Sequence, residues 1–271
     1  MKIVLLLFSL LASSVCFGES YSSVLLSKQT GKPIAYANVG IAEKNVGAVT
    51  DEEGRFSLPL DETRNSEMIR ISMIGFEPRE LKVTDFKKIA SAGEVLYLVQ
   101  RDLRLGEVVV KSRRMHHRLL GNTADNKHHV FGFEQYRPGY EVGTFIRIRR
   151  SPTFIDSVRI KVAKCDYDSV FFRLNIYEIV DGVFRNVLNE PLYIHTDTAT
   201  AMKDITVDLV SRNIVVKHNF LVSVELVKDL GGKEMYFCAE AIGAKGYMRM
   251  TSQAAWQKFI FGPSFSAYVT D

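Results

Sequence analysis

Residues 31–60, GKPIAYANVGIAEKNVGAVTDEEGRFSLPL, most constrain how this chain folds. Ala35, Ala37, Val39 and Ile41 share one face of an extended segment, and Tyr36, Asn38 and Gly40 share the other. A two-residue period is that of a half-buried strand. Asn45-Val46-Gly47 supplies turn chemistry, and Ala48-Val49-Thr50 reads as a second short strand. Asp51-Glu52-Glu53-Gly54 is a tight reversal, because Asp bonds the backbone two residues on and Gly takes positive φ without steric cost. Phe56 and Leu58 then point inward from a third strand that Pro59 ends. Three short strands joined by tight turns commit this region to an antiparallel β architecture.

The segments TGKPIAYANV, GAVTDEEGRF and ISMIGF (Ile71 to Phe76) resemble, at this spacing, the carboxypeptidase regulatory-like domain. The resemblance implies a small β-sandwich of transthyretin-like topology over residues 21–110. It also implies a non-catalytic module, common in exported proteins of Bacteroidota-type bacteria and often placed at the start of TonB-dependent receptors. The domain's usual opening strand is represented by Val24-Leu25-Leu26. Asp85 is placed as the N-cap of a short helical turn that ends near Ser91. The closing segment LRLGEVVV (Leu103 to Val110) resembles the strand that such receptors offer to TonB, but it reads as a plain last strand. A receptor needs several hundred further residues for its barrel.

Met1-Lys2 followed by an apolar run to Ala12 has the form of a secretory signal, with cleavage expected after Gly18. Cys16 raises the question of lipidation, but Val15 and Ser13 stand where a lipidated cysteine needs a small residue and a leucine. No other run is long enough to span a bilayer as a helix. Once residues 1–18 are removed, Cys165 and Cys238 remain, and an even pair in an exported protein permits a disulfide. The alternative is two separate buried thiols.

Residues 111–130, KSRRMHHRLLGNTADNKHHV, read as a basic linker. They hold four of the six histidines, but no carboxylate or cysteine pattern accompanies them. From Phe131 to Asp271 the chain is again β. Val158, Ile160 and Val162 oppose Arg159 and Lys161; Phe172, Leu174 and Ile176 oppose Arg173 and Asn175; Ile205, Val207 and Leu209 oppose Thr206 and Asp208. One polar and one apolar face per strand specifies packed antiparallel sheets rather than a parallel sheet between helices. The expectation is an all-β protein of two β-sandwiches, the first transthyretin-like and the second, at 131–271, resembling jelly-roll modules of exported proteins. FRLNIYEIVDG (Phe172 to Gly182), the segment from Asp208 to Ile214 and Trp256 carry that second likeness.

No catalytic set emerges. A zinc carboxypeptidase needs an H-x-x-E pair, and no histidine here has a glutamate three residues later. Gly262-Pro263-Ser264-Phe265-Ser266 begins like a nucleophile elbow but lacks the closing glycine. Asp166-Tyr167-Asp168 reads as a solvated loop rather than a calcium site. No cofactor is expected.

Charge is more informative. Between Lys111 and Lys164 stand twelve Lys and Arg against four acids, a local +8 in a chain of +4. Arg147 and Arg149 share a face, with Arg159 and Lys161 expected beside them on a neighbouring strand. Such a patch attracts anionic partners. In an exported protein these are lipopolysaccharide phosphates, acidic glycans or an envelope protein rather than nucleic acid. Tyr136, Tyr140, Tyr167, Tyr193 and Trp256 are candidates for stacking on sugars, although aromatic residues, Trp256 above all, are more often core. The sequence therefore predicts an exported, non-enzymatic binding or scaffolding protein, periplasmic or attached peripherally to the outer membrane. The alternative is a carbohydrate-binding accessory protein acting through the second sandwich.

Overall fold

A computed structural model describes residues 19–102, 115–135, 137–231, 234–240 and 243–271. The signal segment with Cys16, the Leu103 to Val110 segment and Tyr136 lie outside them. Two hydrophobic cores organise the described residues, one built from positions 25–98 and one from positions 131–269. The architecture is an all-β sandwich fold.

In the first unit a three-stranded sheet runs in the order Arg55–Leu60, Glu19–Ser27, Leu96–Leu98. A four-stranded sheet runs Gly47–Val49, Asn38–Ile41, Met68–Ser72, Arg79–Lys82. Leu25, Val39, Phe56, Leu58, Ile69 and Phe86 fill the space between them. The Asp51 turn forms as its chemistry demands: Oδ1 accepts from the backbone N–H groups of Glu53 at 3.0 Å and Arg55 at 2.8 Å, and Gly54 sits at φ +75°. The opening strand is nine residues long, well beyond Val24-Leu25-Leu26. The expected strand at 35–41 is shorter, because Tyr36 takes a left-handed φ of 60° and only Asn38–Ile41 is extended. The helix runs Val83–Ser91; Lys82 occupies the N-cap position and Asp85 lies inside the first turn, where its charge still favours the helix dipole.

The second unit sets two layers over one core. The larger sheet has the order Val183–Asn186, Ser169–Val180, Phe220–Leu226, Glu141–Ile146, Gly246–Arg249, Gln257–Phe259, with Leu192–Asp197 also paired to Ser169–Val180. The facing layer contains Ile205–Asp208, Thr153–Ile160, Phe265–Thr270 and His117–Gly121 in that order. It continues through Val162–Cys165, Met235–Glu240, Gly262–Pro263 and Val130–Phe133. Val158, Ile160, Phe172, Leu174, Val222, Phe237 and Phe265 interdigitate between the layers and are fully buried.

One expectation fails here, and one of two alternatives drops out. The segment read as a linker contributes His117–Gly121, whose register with Phe265–Thr270 runs from His117 opposite Thr270 to Gly121 opposite Ser266. The cysteines do not meet. Cys165 lies opposite Met235, and Cys238 stands three residues further along that strand, about 10 Å away at an ordinary strand rise. That exceeds the ~7 Å Cα separation a disulfide tolerates, and both thiols are free.

Candidate functional site: the outer face of the larger sheet

The alternation that sends Phe172, Leu174 and Ile176 into the core sends Arg173, Asn175 and Tyr177 to the opposite face. That face is not solvated. Cross-strand register places Arg173 opposite Glu225, Glu225 opposite Glu141, and Glu141 opposite Arg249. Four adjacent strands thus carry one straight row of charges in the order plus, minus, minus, plus. Arg173, Glu225 and Glu141 expose 2%, 0% and 0% of their side chains, and Arg249 10%.

The row is closely hydrogen-bonded. Arg173 donates through Nε (3.0 Å) and Nη2 (2.7 Å) to Oε2 of Glu225. Arg249 Nε donates to Oε2 of Glu141 at 2.7 Å. Asn175 Nδ2 bridges the two carboxylates, 2.9 Å from Glu141 and 2.8 Å from Glu225, and the Ser223 hydroxyl donates to Glu141 at 2.6 Å. The environment drives the two acids apart. Burial pushes the Glu141 carboxyl above the usual glutamate value, with the neighbouring Glu225 charge adding to it and Arg249 opposing. Burial also penalises ionised Glu225, but Arg173 and Arg249 outweigh it and hold that carboxyl below the usual value. Split carboxyl pairs serve acid–base catalysis when substrate can reach them. Here both are sealed from solvent, so the row acts structurally.

The first unit covers the Arg173 end of the row, and Trp256 of the second unit lies against the Arg249 end. Arg173 Nη1 donates at 2.7 Å to the carbonyl of Tyr36, whose left-handed backbone turns that oxygen toward the second unit. The Tyr36 ring packs 5.2 Å from Phe171 and 5.3 Å from Tyr193. Ser252 Oγ bonds Asn38 Oδ1 (2.9 Å), Gln253 Nε2 bonds Ser72 Oγ (2.8 Å), and Glu43 N–H bonds the Gln253 carbonyl (2.8 Å). Gly40 and Gly47 admit the Ser252 carbonyl; a Cβ on Gly40 would stand 2.6 Å from it. These contacts also explain why Asn38 and Gly40, expected on an outward face, are buried.

Beyond the charge row the same face turns aromatic. Phe184 stacks on Trp256 at 5.2 Å and meets Tyr247 edge-on at 5.3 Å; Tyr177 lies 5.8 Å from Trp256. Phe184, Tyr247 and Trp256 are half-buried, so Trp256 is not the core residue expected of it. Of the other aromatic candidates, Tyr140 and Tyr167 are buried at 6% and 5% exposure. Tyr193 is half-buried against the first unit.

The expected four-residue basic patch does not assemble. The strand Glu141–Ile146 that leads to Arg147 and Arg149 lies in the larger sheet, whereas Arg159 and Lys161 belong to the facing layer. Arg159 pairs with Asp204 at 3.1 Å and Lys161 with Asp125 at 3.2 Å. Arg147 and Arg149 are exposed and form no ion pair among the described residues. Among those residues, no three His, Cys, Asp or Glu side chains converge as a metal site, and no helix is long and apolar enough to cross a membrane.

Comparison with known families decides the character of the first unit. Residues 23–110 match the CarboxypepD_reg-like domain. This domain is regulatory and non-catalytic, and no catalytic family is indicated for the chain. No curated protein matches. Solved structures of the infectious bursal disease virus Gx and Gt strains are matched at 10% identity with TM-scores of 0.23 and 0.24. The matches cover 93% of this chain but only 55% and 63% of those chains. At such scores the likeness bears on neither fold nor function. Arg173 at one end of the charge row, with Ser252 and Gln253, thus meets a CarboxypepD_reg-like domain.

Proposed function

We propose that the protein is a non-catalytic binding or scaffolding protein whose CarboxypepD_reg-like domain and second sandwich act as one body. The single observation behind this reading is the Arg173 guanidinium, which joins Glu225 in one unit to the Tyr36 carbonyl in the other. A buried ion pair is a poor source of stability but a good means of fixing one arrangement. It holds the first unit at a set angle to the exposed end of the larger sheet. The apolar run after Lys2 supports export, and Arg147 and Arg149, exposed and without an ion pair among the described residues, support an anionic partner at the cell envelope.

The test is small-angle scattering on the wild type and on Arg173→Met, with affinity capture of the tagged protein from a gently solubilised native envelope. One compact particle that retains a stoichiometric envelope component supports the reading. A wild type whose two units scatter as independent bodies overturns it.

A further inference from the structure

We infer that the exposed end of the larger sheet binds an acidic oligosaccharide, with sugar rings on Phe184, Tyr247 and Trp256 and carboxylate or sulfate groups on the surrounding cations. The inference rests on the binding reading above and names its ligand class. Register carries the argument. Lys258 lies directly opposite Tyr247, and Lys245 precedes Tyr247 by two residues on the same face, where its Nζ stands 5.8 Å from the Phe145 ring. Ile146 pairs with Phe220, and the Ile148 N–H bonds Asn219 Oδ1 at 3.1 Å, so the chain past Ile146 runs alongside residues 217–219. This brings exposed Arg147, Arg149 and Lys217 to the same end of the sheet.

Among the described residues none of these five cations forms an ion pair. Of the acids at this end, Glu178 is engaged by the backbone N–H groups of Lys217 and His218 and by the His218 ring, and Asp181 stands at a hairpin tip. The band therefore presents unneutralised positive charge beside half-buried rings that still reach the surface. A neutral sugar needs the rings alone, and a simple anion needs the cations alone. A ligand with an apolar ring face and an anionic substituent uses both. Trp256 is backed by the Arg249 guanidinium 5.1 Å from its ring, which fixes the ring as a platform.

Trp256 is also the only tryptophan in the chain, so its emission reports on the site. The experiment titrates hexagalacturonate against the full protein at low and high salt. Maltohexaose, inorganic sulfate and anionic phospholipid vesicles are run in parallel. Saturable quenching by hexagalacturonate that weakens with salt is expected, with no response to maltohexaose or sulfate. Lys245→Glu with Arg147→Glu, and separately Trp256→Phe followed by calorimetry, should each weaken binding about tenfold or more. Equal binding of maltohexaose or sulfate, unchanged affinity in the charge-reversed variant, or binding to vesicles alone overturns the inference. If the envelope partner is still captured while hexagalacturonate fails, only this inference falls; if both fail, the binding reading falls with it.

Discussion

Arg173→Met tests the interface most directly. Methionine keeps much of the volume and removes the charge, the two bonds to Glu225 and the bond to the Tyr36 carbonyl. Glu225 would be left with Asn175 at 2.8 Å and a distant Arg249 contact at 3.8 Å, at 0% exposure. Removing one member of a buried pair typically costs about 3–5 kcal/mol, since the surviving charge stays desolvated. With a urea slope of about 2 kcal/mol per molar, the midpoint should fall by roughly 1.5–2.5 M. Trp256 fluorescence reports unfolding of the second unit. Combining Arg173→Met with Glu225→Leu removes the orphaned charge and should recover at least half of the loss. A single variant that loses less than about 1 kcal/mol, or a double variant no better than the single, would show that the row is not a coupled unit.

Three further outcomes follow from the same geometry. The pH dependence has two opposed parts. Glu141, held above its ordinary value by burial, favours the folded state more as pH falls through its raised value. Glu225, held below its ordinary value, loses its contribution only as pH falls below about 4.5. Urea midpoints should rise slightly on mild acidification and then drop, and Glu141→Gln should abolish the rise; a rise that survives this substitution refutes the assignment. Gly47→Ala places a Cβ against the Ser252 carbonyl and the Thr251 side chain, both in the second unit. It should cost about 1–3 kcal/mol and expose the junction to limited proteolysis, and an unchanged digestion pattern would count against tight docking. Without reductant, Cys165 and Cys238 should both react with a thiol reagent after unfolding, with native Cys238 protected by burial; failure of both to react would restore the disulfide.

Much of the fold was legible because alternation is local. Residues 169–180 and 220–226 announce their strands by period, and Asp51 with Gly54 announces its turn. The charge row was not legible, because a polar face looks the same in sequence whether it meets water or another unit. Glu141, Arg173, Glu225 and Arg249 become a row only once strand order and register are known. A signal was present in phase: each stands at an outward position of a strand whose inward positions are largely apolar, and Arg173 is flanked by Phe171, Phe172 and Leu174. His117–Gly121 was missed for the opposite reason. Its local composition is that of a tether, and its partner strand is remote in sequence.

That remoteness sets an order of assembly. The described strands of the first unit lie between Glu19 and Leu98, so the core they build can close while the rest of the chain is still being synthesised. His117 must wait for Thr270, 153 residues later, before its strand has a neighbour. Until Phe265–Thr270 is made, Thr153–Ile160 also lacks its central partner, and the apolar faces of both layers stay open. The second unit is therefore a late, slow-folding half that completes itself against an already finished template.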